Sequence, residues 1–251
     1  MKLSSITKRY HWYSKVKFDK KIGFYYQYIN GHRMYIRHPR HYAAENDYNW
    51  VASEILYKYY DPESGSTIVD FGLGYGAEAI YTVSQYDNIR YIGIEPQPII
   101  YELACNTFSG LGDNYTVSPY IISDAVSVKF SSQFGYGAVG EDNNGCVEVP
   151  SLSWVRFKQK YSIDKVDLMK VNIEGAERAL LQHIHAFQNI KRWIISCHDF
   201  RANHGHGEYF RTRSYVINRL KSQGYSVKFF NFGINWADDY VYAEREDLDE
   251  C

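Results

Sequence analysis

Apolar and polar positions change period along the chain, and the changes mark its parts. In KIGFYYQYINGHRMYIRH (21–38) two β-rich runs flank Asn30-Gly31, the strongest short-range hairpin signal. In ENDYNWVASEILYKYY (45–60), Val51, Ile55, Leu56 and Tyr59 share one helical face, and Asp61-Pro62 ends the helix. Strands and helices then alternate. STIVDFG (66–72), IRYIGIE (89–95) and YTVSPYIIS (115–123) read as strands, Pro119 marking an edge or a bulge in the third. AEAIYTVSQY follows the first as a helix, and PQPIIYELACNTFSG follows the second, with prolines in its first turn. Residues 127–150 are rich in Gly and Asn and read as an excursion from the sheet, with β-like pieces SVKF and CVEV. The alternation resumes with strand KVDLMKVNI (165–173), helix GAERALLQHIHAF, strand KRWIISCH (191–198) and helix EYFRTRSYVINRLKSQ. YSVKFFNFGI and DYVYAERE close the chain as an antiparallel pair.

This order predicts an α/β fold with a doubly wound, mostly parallel sheet covered on both faces and an antiparallel C-terminal edge pair. A β-rich and helical N-terminal extension precedes it, dividing the chain into residues 1–60 and 61–251. No internal repeat is visible. A length of 251 residues accommodates one large domain with such an appendage.

Composition excludes disorder, collagen and coiled coil, with 45% hydrophobic and 23% charged residues. Tyrosine stands out with 25 copies, and its apolar face and polar tip suit the lining of a pocket. Cys105, Cys146, Cys197 and Cys251 have no zinc-like spacing and read as reduced thiols. The N-terminus lacks an apolar signal-peptide core and no run is long enough to span a membrane, so a cytoplasmic protein is expected. The formal charge of -1 conceals an asymmetry: residues 1–49 hold ten Lys or Arg against three acids, +7, leaving -8 for the remainder. Aromatics and histidines are interleaved with these cations. Such an arm suits packing on an acidic body, a phosphorylated or acidic substrate, or single-stranded nucleic acid, and the first of these is the expectation.

Candidate chemistry begins at Val69-Asp70-Phe71-Gly72-Leu73-Gly74-Tyr75-Gly76-Ala77. Glycines between a first strand and a helix N-terminus let a ligand approach the backbone, which makes Gly72, Gly74 and Gly76 cofactor-binding candidates. Glu95 ends the second strand 23 positions after Gly72, where an acid hydrogen-bonds ribose hydroxyls. NAD and S-adenosylmethionine both carry adenosine ribose. Asp70 favours the latter, because an acid there can face a cationic amine that a pyrophosphate lacks. Asp124, after the third strand, is placed to meet the adenine amino group.

With IGIEP and IISD, VDFGLGYGA and Asp167-Leu168-Met169-Lys170-Val171-Asn172-Ile173-Glu174-Gly175-Ala176-Glu177 resemble the signature of the FkbM family of S-adenosylmethionine-dependent methyltransferases. The resemblance spans roughly residues 65–245 and leaves the arm outside. It implies a class I, Rossmann-like methyltransferase fold, S-adenosylmethionine as cofactor, and methyl transfer to a hydroxyl of a sugar or natural product. Asn172 stands where the family's usual form, Lys-Ile-Asp-x-Glu-Gly-Ala-Glu, has Asp. An Asp can hold a metal or orient a hydroxyl, whereas Asn does the latter as a neutral group, so metal use is left open and no metal ligand is assigned.

Catalytic candidates are His198, Asn172 and Glu174. His198 ends a strand on the rim where α/β sheets bind ligands, and a histidine of ordinary pKa suits proton removal from a hydroxyl. Asp199 is placed to orient it if the chain bends. Glu177 reads as a first-turn acid favoured by the helix dipole; His204 and His206 read as solvated loop residues, and Cys197 as a core thiol. The functional expectation is an O-methyltransferase acting on a small-molecule or glycan acceptor. The alternatives are an RNA-binding or RNA-modifying methyltransferase using the basic arm, and an NAD-dependent dehydrogenase.

Overall fold

The computed structural model describes residues 11–125, 127–131, 138–139 and 146–245. Residues 1–10, Cys251, the side chain of Cys146 and much of the 127–150 excursion lie outside the described residues. Strands β1 (Lys17–Asp19), β2 (Phe24–Ile29) and β3 (His32–Ile36) form an antiparallel sheet. Asn30 and Gly31 both have positive φ (46° and 81°), the geometry of a two-residue hairpin turn that Asn-Gly adopts readily. Helix α1 (Glu45–Val51) follows and continues as a π-helical turn over Ala52–Leu56. The helix therefore ends short of the expected Tyr60.

The main sheet contains β4 (Thr67–Phe71), β5 (Arg90–Ile94), β6 (Tyr115–Ser118), β11 (Leu168–Val171), β12 (Arg192–Ser196), β13 (Ser226–Phe229) and β14 (Tyr240–Glu244), in the order β13-β14-β12-β11-β4-β5-β6. Only β14 runs antiparallel to its neighbours, inserted between β12 and the edge strand β13. The interleaved helices are α2 (Ala77–Gln85), α3 (Pro98–Phe108), α4 (Trp154–Tyr161), α5 (Glu177–Gln182), α6 (Asp199–Asn203), α7 (Arg213–Ser222) and α8 (Asn235–Asp238). The expected helix over 208–223 is divided: a short 3-10 turn precedes α7, and buried Thr212 sits at the break.

Pro119 splits the expected third strand. Beyond it, β7 (Ile121–Ile122) leaves the main sheet and joins β8 (Ser127–Ser131), β9 (Ala138–Val139) and β10 (Cys146–Leu152) in a second sheet. Side chains alternate faces along each strand, so the central strands bury apolar residues on both sides. Val69, Phe71, Met169, Val171, Trp193 and Ile195 face one core with α4, α5 and α7. Ile68, Tyr91, Leu168, Ile194 and Tyr242 face another, which also takes in Ile80, Ile29, Met34, Ile36, Ile55 and Leu56. The hairpin thus shares a core with the sheet. Its tip is pinned as well, because Asn30 N–H donates to Glu45 Oε2 (2.7 Å) and Asn30 Nδ2 to Asn49 Oδ1 (3.0 Å). Several tyrosines fill these cores: Tyr91, Tyr242, Tyr57 and Tyr240 are buried. Cys105 and Cys197 are free thiols. No helix among the described residues is long and apolar enough to cross a membrane.

Candidate cofactor and acceptor site

From β4 the chain winds one way to β5 and β6 and later the other way to β11 and β12, which places a topological switch point between β4 and β11. Ligands of such sheets bind beyond the C-terminal strand ends at that point. The segments 72–76, 95–97, 172–175 and 197–199 lie there. Gly72 N–H and Leu73 N–H donate to Ile94 O (3.1 and 3.0 Å), tying the glycine loop to β5.

The three candidate glycines have different reasons to be glycine. A Cβ on Gly72 would fall 1.9 Å from Asn172 O, and one on Gly76 would fall 2.7 Å from Phe108 Cε2. Both are demanded by close packing within the protein. Gly74 has nothing within 4 Å of its Cβ position, and it is the open side of this loop that a cofactor can approach. Glu95 is buried; its Oε2 accepts from Gly74 N–H (3.0 Å) and its Oε1 from Gln97 N–H (2.9 Å). Burial pushes its pKa up to about 7. Each oxygen retains acceptor capacity, so the carboxylate can hold the loop and still receive ribose hydroxyls. The open side of Gly74 and this carboxylate fit an adenosine-bearing cofactor.

Asp70 does not face a ligand as the sequence suggested. It is fully buried: its Oδ1 lies 2.9 Å from Lys170 Nζ and its Oδ2 accepts from Tyr91 Oη (2.7 Å). Lys170 reaches Glu78 Oε1 (3.3 Å) and donates to Gly72 O (3.3 Å). Burial opposes its charge, but Asp70 and Glu78 hold the ammonium protonated. In-register pairing of β4 with β11 puts Lys170 beside Asp70, and the pair supports the glycine loop from beneath. Asp124 also departs from expectation. It is exposed, beyond β7 in the second sheet, because Pro119 ends β6 earlier.

On the β11 side, Asn172 N–H donates to Phe71 O (2.8 Å), while its buried side-chain oxygen meets no donor among the described residues. Glu174 (φ 55°) and His198 (φ 57°) both occupy the left-handed region, a cost of roughly 1–2 kcal/mol for each. Their side chains meet: His198 Nε2 lies 3.4 Å from Glu174 Oε2, and Arg201 Nε lies 2.9 Å from the same oxygen. His198 Nδ1 is 3.1 Å from Glu177 Oε1. Burial works against the imidazolium, yet hydrogen bonds to Glu174 and Glu177 carry its pKa up to about 9. A ring 2% exposed, with a carboxylate on each nitrogen and a proton held at neutral pH, is not arranged as a general base. The geometry places His198 as a link between Glu174 and Glu177.

Asp199 does not orient this ring either. Its Oδ1 accepts from the backbone N–H of Thr212 (2.8 Å) and Arg213 (2.9 Å) at the start of α7. Glu177, read from the sequence as a first-turn acid favoured by the helix dipole, is fully buried and accepts from the N–H of Ile173 (3.3 Å), the N–H of Gly175 (3.1 Å) and Thr212 Oγ1 (3.1 Å). It fixes the 173–175 loop. A Cβ on Gly175 would fall 2.4 Å from Tyr209 Cε1, so the half-exposed Tyr209 ring lies against this loop. The parts played by Lys170, Glu177 and Tyr209 were not anticipated. A lysine inside the apolar run DLMKVNI was the available signal for the first, since a charge in a buried parallel strand needs a partner; Glu177 closes the family signature but read as a helix-dipole acid, and nothing local marked Tyr209. Among the described residues no group of three or more His, Cys, Asp or Glu side chains is placed to hold a metal ion.

The methyltransferase FkbM domain model matches residues 70–227. No curated protein matches the chain. Among solved structures, an O-methyltransferase from Bacillus cereus in complex with SAH is similar over 82% of this chain and 84% of that one, at 9% identity and a TM-score of 0.50. Fibrillarin from Aeropyrum pernix, with natively bound S-adenosyl-L-methionine, is similar over 77% of this chain and 75% of its own, at 14% identity and a TM-score of 0.44. The fold is that of the class I methyltransferases. Since the family model covers more than half of the sequence, glycine loop and β11 motif included, this protein belongs to the FkbM methyltransferase family.

Proposed function

We propose that the chain transfers the methyl group of S-adenosylmethionine to a hydroxyl oxygen of a sugar, a glycan or a related natural product. The observation that carries this reading is the Asn172 side-chain oxygen, buried beside the switch point and without a donor among the described residues. It can accept the hydrogen of a hydroxyl and leave a lone pair of that oxygen directed at the methyl carbon. Next to it, Glu174 presents Oε1, since both of its ion pairs use Oε2. Burial raises the Glu174 pKa, but His198 and Arg201 lower it further, so it stays ionised. An ionised carboxylate there favours the positive charge that passes from sulfonium to acceptor oxygen during transfer. The half-exposed Tyr209 ring, whose Cε1–Cδ1 edge abuts Gly175, offers an aromatic surface suited to a sugar as the neighbouring group.

S-adenosylmethionine supplies an electrophilic methyl on a sulfonium; the protein supplies alignment and exclusion of water. Gly74 and Glu95 would hold the cofactor, which would supply the methyl and keep the bonding pair on its sulfur, and Glu174 Oε1 or water would take the hydroxyl proton. Positioning is the main contribution available to this residue set. His198 and Glu177 act through Glu174 and the 173–175 loop as positioning residues.

The test is transfer of radiolabelled methyl from S-adenosylmethionine to a panel of glycosides, with the product treated with mild base. Base-stable label in a methyl ether, reduced at least tenfold by Asn172→Ala at unchanged cofactor affinity, is the expected result. Label released as methanol or recovered on nitrogen would refute it. Label entering RNA, with binding that falls steeply with salt and is lost on removal of residues 1–44, would instead favour an RNA-modifying enzyme.

A further inference from the structure

The methionine end of S-adenosylmethionine carries an α-carboxylate as well as an amine. Asp70 and Lys170 are buried against each other beneath the glycine loop, so Lys170 offers that carboxylate no open cation. The basic turn at 37–41 does reach the loop, through His41. Tyr75, between Gly74 and Gly76, has its hydroxyl 2.8 Å from His41 Nδ1, and the two rings stack with centroids 5.9 Å apart. The same hydroxyl lies within electrostatic reach of Arg37, Arg40 and Glu95. The basic turn at 37–41 and the Glu95 carboxylate therefore address neighbouring residues of one loop, Tyr75 and Gly74. This turn lies outside the segment matched by the family model.

The turn is also preorganised. Pro39 is buried, His38 Nδ1 accepts from Arg40 N–H (3.1 Å), and the His38 ring leans on Tyr25 and Tyr13 (centroids 6.5 and 6.2 Å). Arg37 and Arg40 are exposed, and among the described residues neither guanidinium is paired with a carboxylate. Burial and the charges of Arg40, His38 and Arg37 lower the His41 pKa, which marks an uncompensated positive field beside Tyr75. Arg40 Nε donates to His41 Nε2 (3.3 Å), which further fixes the turn, and guanidiniums without a carboxylate partner among the described residues suit capture of one.

We propose that Arg37 and Arg40 complete the cofactor site, pairing with the α-carboxylate of S-adenosylmethionine over the Tyr75 face of the glycine loop. The arm then belongs to the cofactor site, and its charge serves the cofactor before any acceptor. The proposal rests on S-adenosylmethionine as cofactor.

The test is calorimetric titration of wild type, Arg37→Ala, Arg40→Ala and the double variant with S-adenosylmethionine and with its decarboxylated analogue. Thermal unfolding midpoints verify that the variants are folded. For the double variant, affinity for S-adenosylmethionine is expected to fall about 10- to 100-fold, the effect of losing charge-assisted hydrogen bonds, while affinity for the decarboxylated analogue changes less than about 3-fold. Equal losses for both ligands would mean that the turn only holds the loop, and unchanged affinity for both would leave it to the acceptor; either overturns the proposal. Failure of the wild type to bind S-adenosylmethionine would overturn the cofactor assignment itself, and the proposal with it.

Discussion

Replacing His198 by Gln tests whether this ring is a base or a buried charged strut. Its pKa is about 9 in the folded chain, against 6.5 ordinarily, because Glu174 and Glu177 outweigh its burial. At 1.36 kcal/mol per unit, the difference corresponds to about 3 kcal/mol of folding free energy. The folded state holds the proton more tightly than the unfolded chain, so this stabilisation is complete below pH 6.5 and is lost as pH rises through 9. Two other groups titrate nearby. Glu95, with its pKa pushed up to about 7 by burial, acts mostly below this window, and the raised pKa of the Cys197 thiol acts above it. The difference between wild type and variant removes both. Urea unfolding between pH 6 and pH 9.5 should show wild type losing about 3 kcal/mol more than His198→Gln. Parallel curves, within about 0.5 kcal/mol, would refute the strut. A turnover rate that rises tenfold per pH unit toward 9 in wild type and not in the variant would restore the general base.

Lys170→Met leaves Asp70 buried without its cation; breaking such a pair costs about 3–5 kcal/mol, or roughly 6–20 °C in melting temperature for a chain of this size. Adding Asp70→Asn, which keeps an acceptor for Tyr91, should recover at least half of that loss. No recovery would show that the lysine acts in some other way. Glu95 ionises through about pH 7, and its ionised form accepts ribose hydroxyls, so S-adenosylmethionine should bind up to about 10-fold more tightly at pH 8 than at pH 6. Calorimetry on Glu95→Gln should show weaker binding with that pH dependence removed. Gly72→Ala forces a Cβ to within 1.9 Å of Asn172 O at a positive φ, and a large drop in melting temperature is expected without any cofactor present.

Periodicity made the alternation of strands and helices legible, and Asn30-Gly31 located its hairpin turn to the residue. Local turn chemistry sufficed for both. Partners brought together by strand order were hidden. Lys170 and Asp70 are a hundred residues apart and meet because β11 lies beside β4, a neighbour relation that neither run contains. The split of the third strand was half visible: Pro119 signalled an edge, but the pairing of β7 with β10 depends on a return of the chain some thirty residues later. Histidine at a strand end suggested a base, and only the approach of Glu174 and Glu177 from another element revealed a protonated one. Glycines were found as a motif, yet the motif did not separate Gly72 and Gly76, packed against protein, from Gly74, open on its Cβ side.

That last distinction offers the most direct test of the cofactor site. Asn tolerates the left-handed conformation of Gly74 (φ 58°), so Gly74→Asn should fold normally while placing a side chain where the cofactor approaches. Calorimetric titration with S-adenosylmethionine should give one equivalent bound by wild type and at least about 100-fold weaker binding by Gly74→Asn, with melting temperatures within a few degrees in the absence of ligand. Equal affinity for the two proteins would contradict a cofactor seated on this loop.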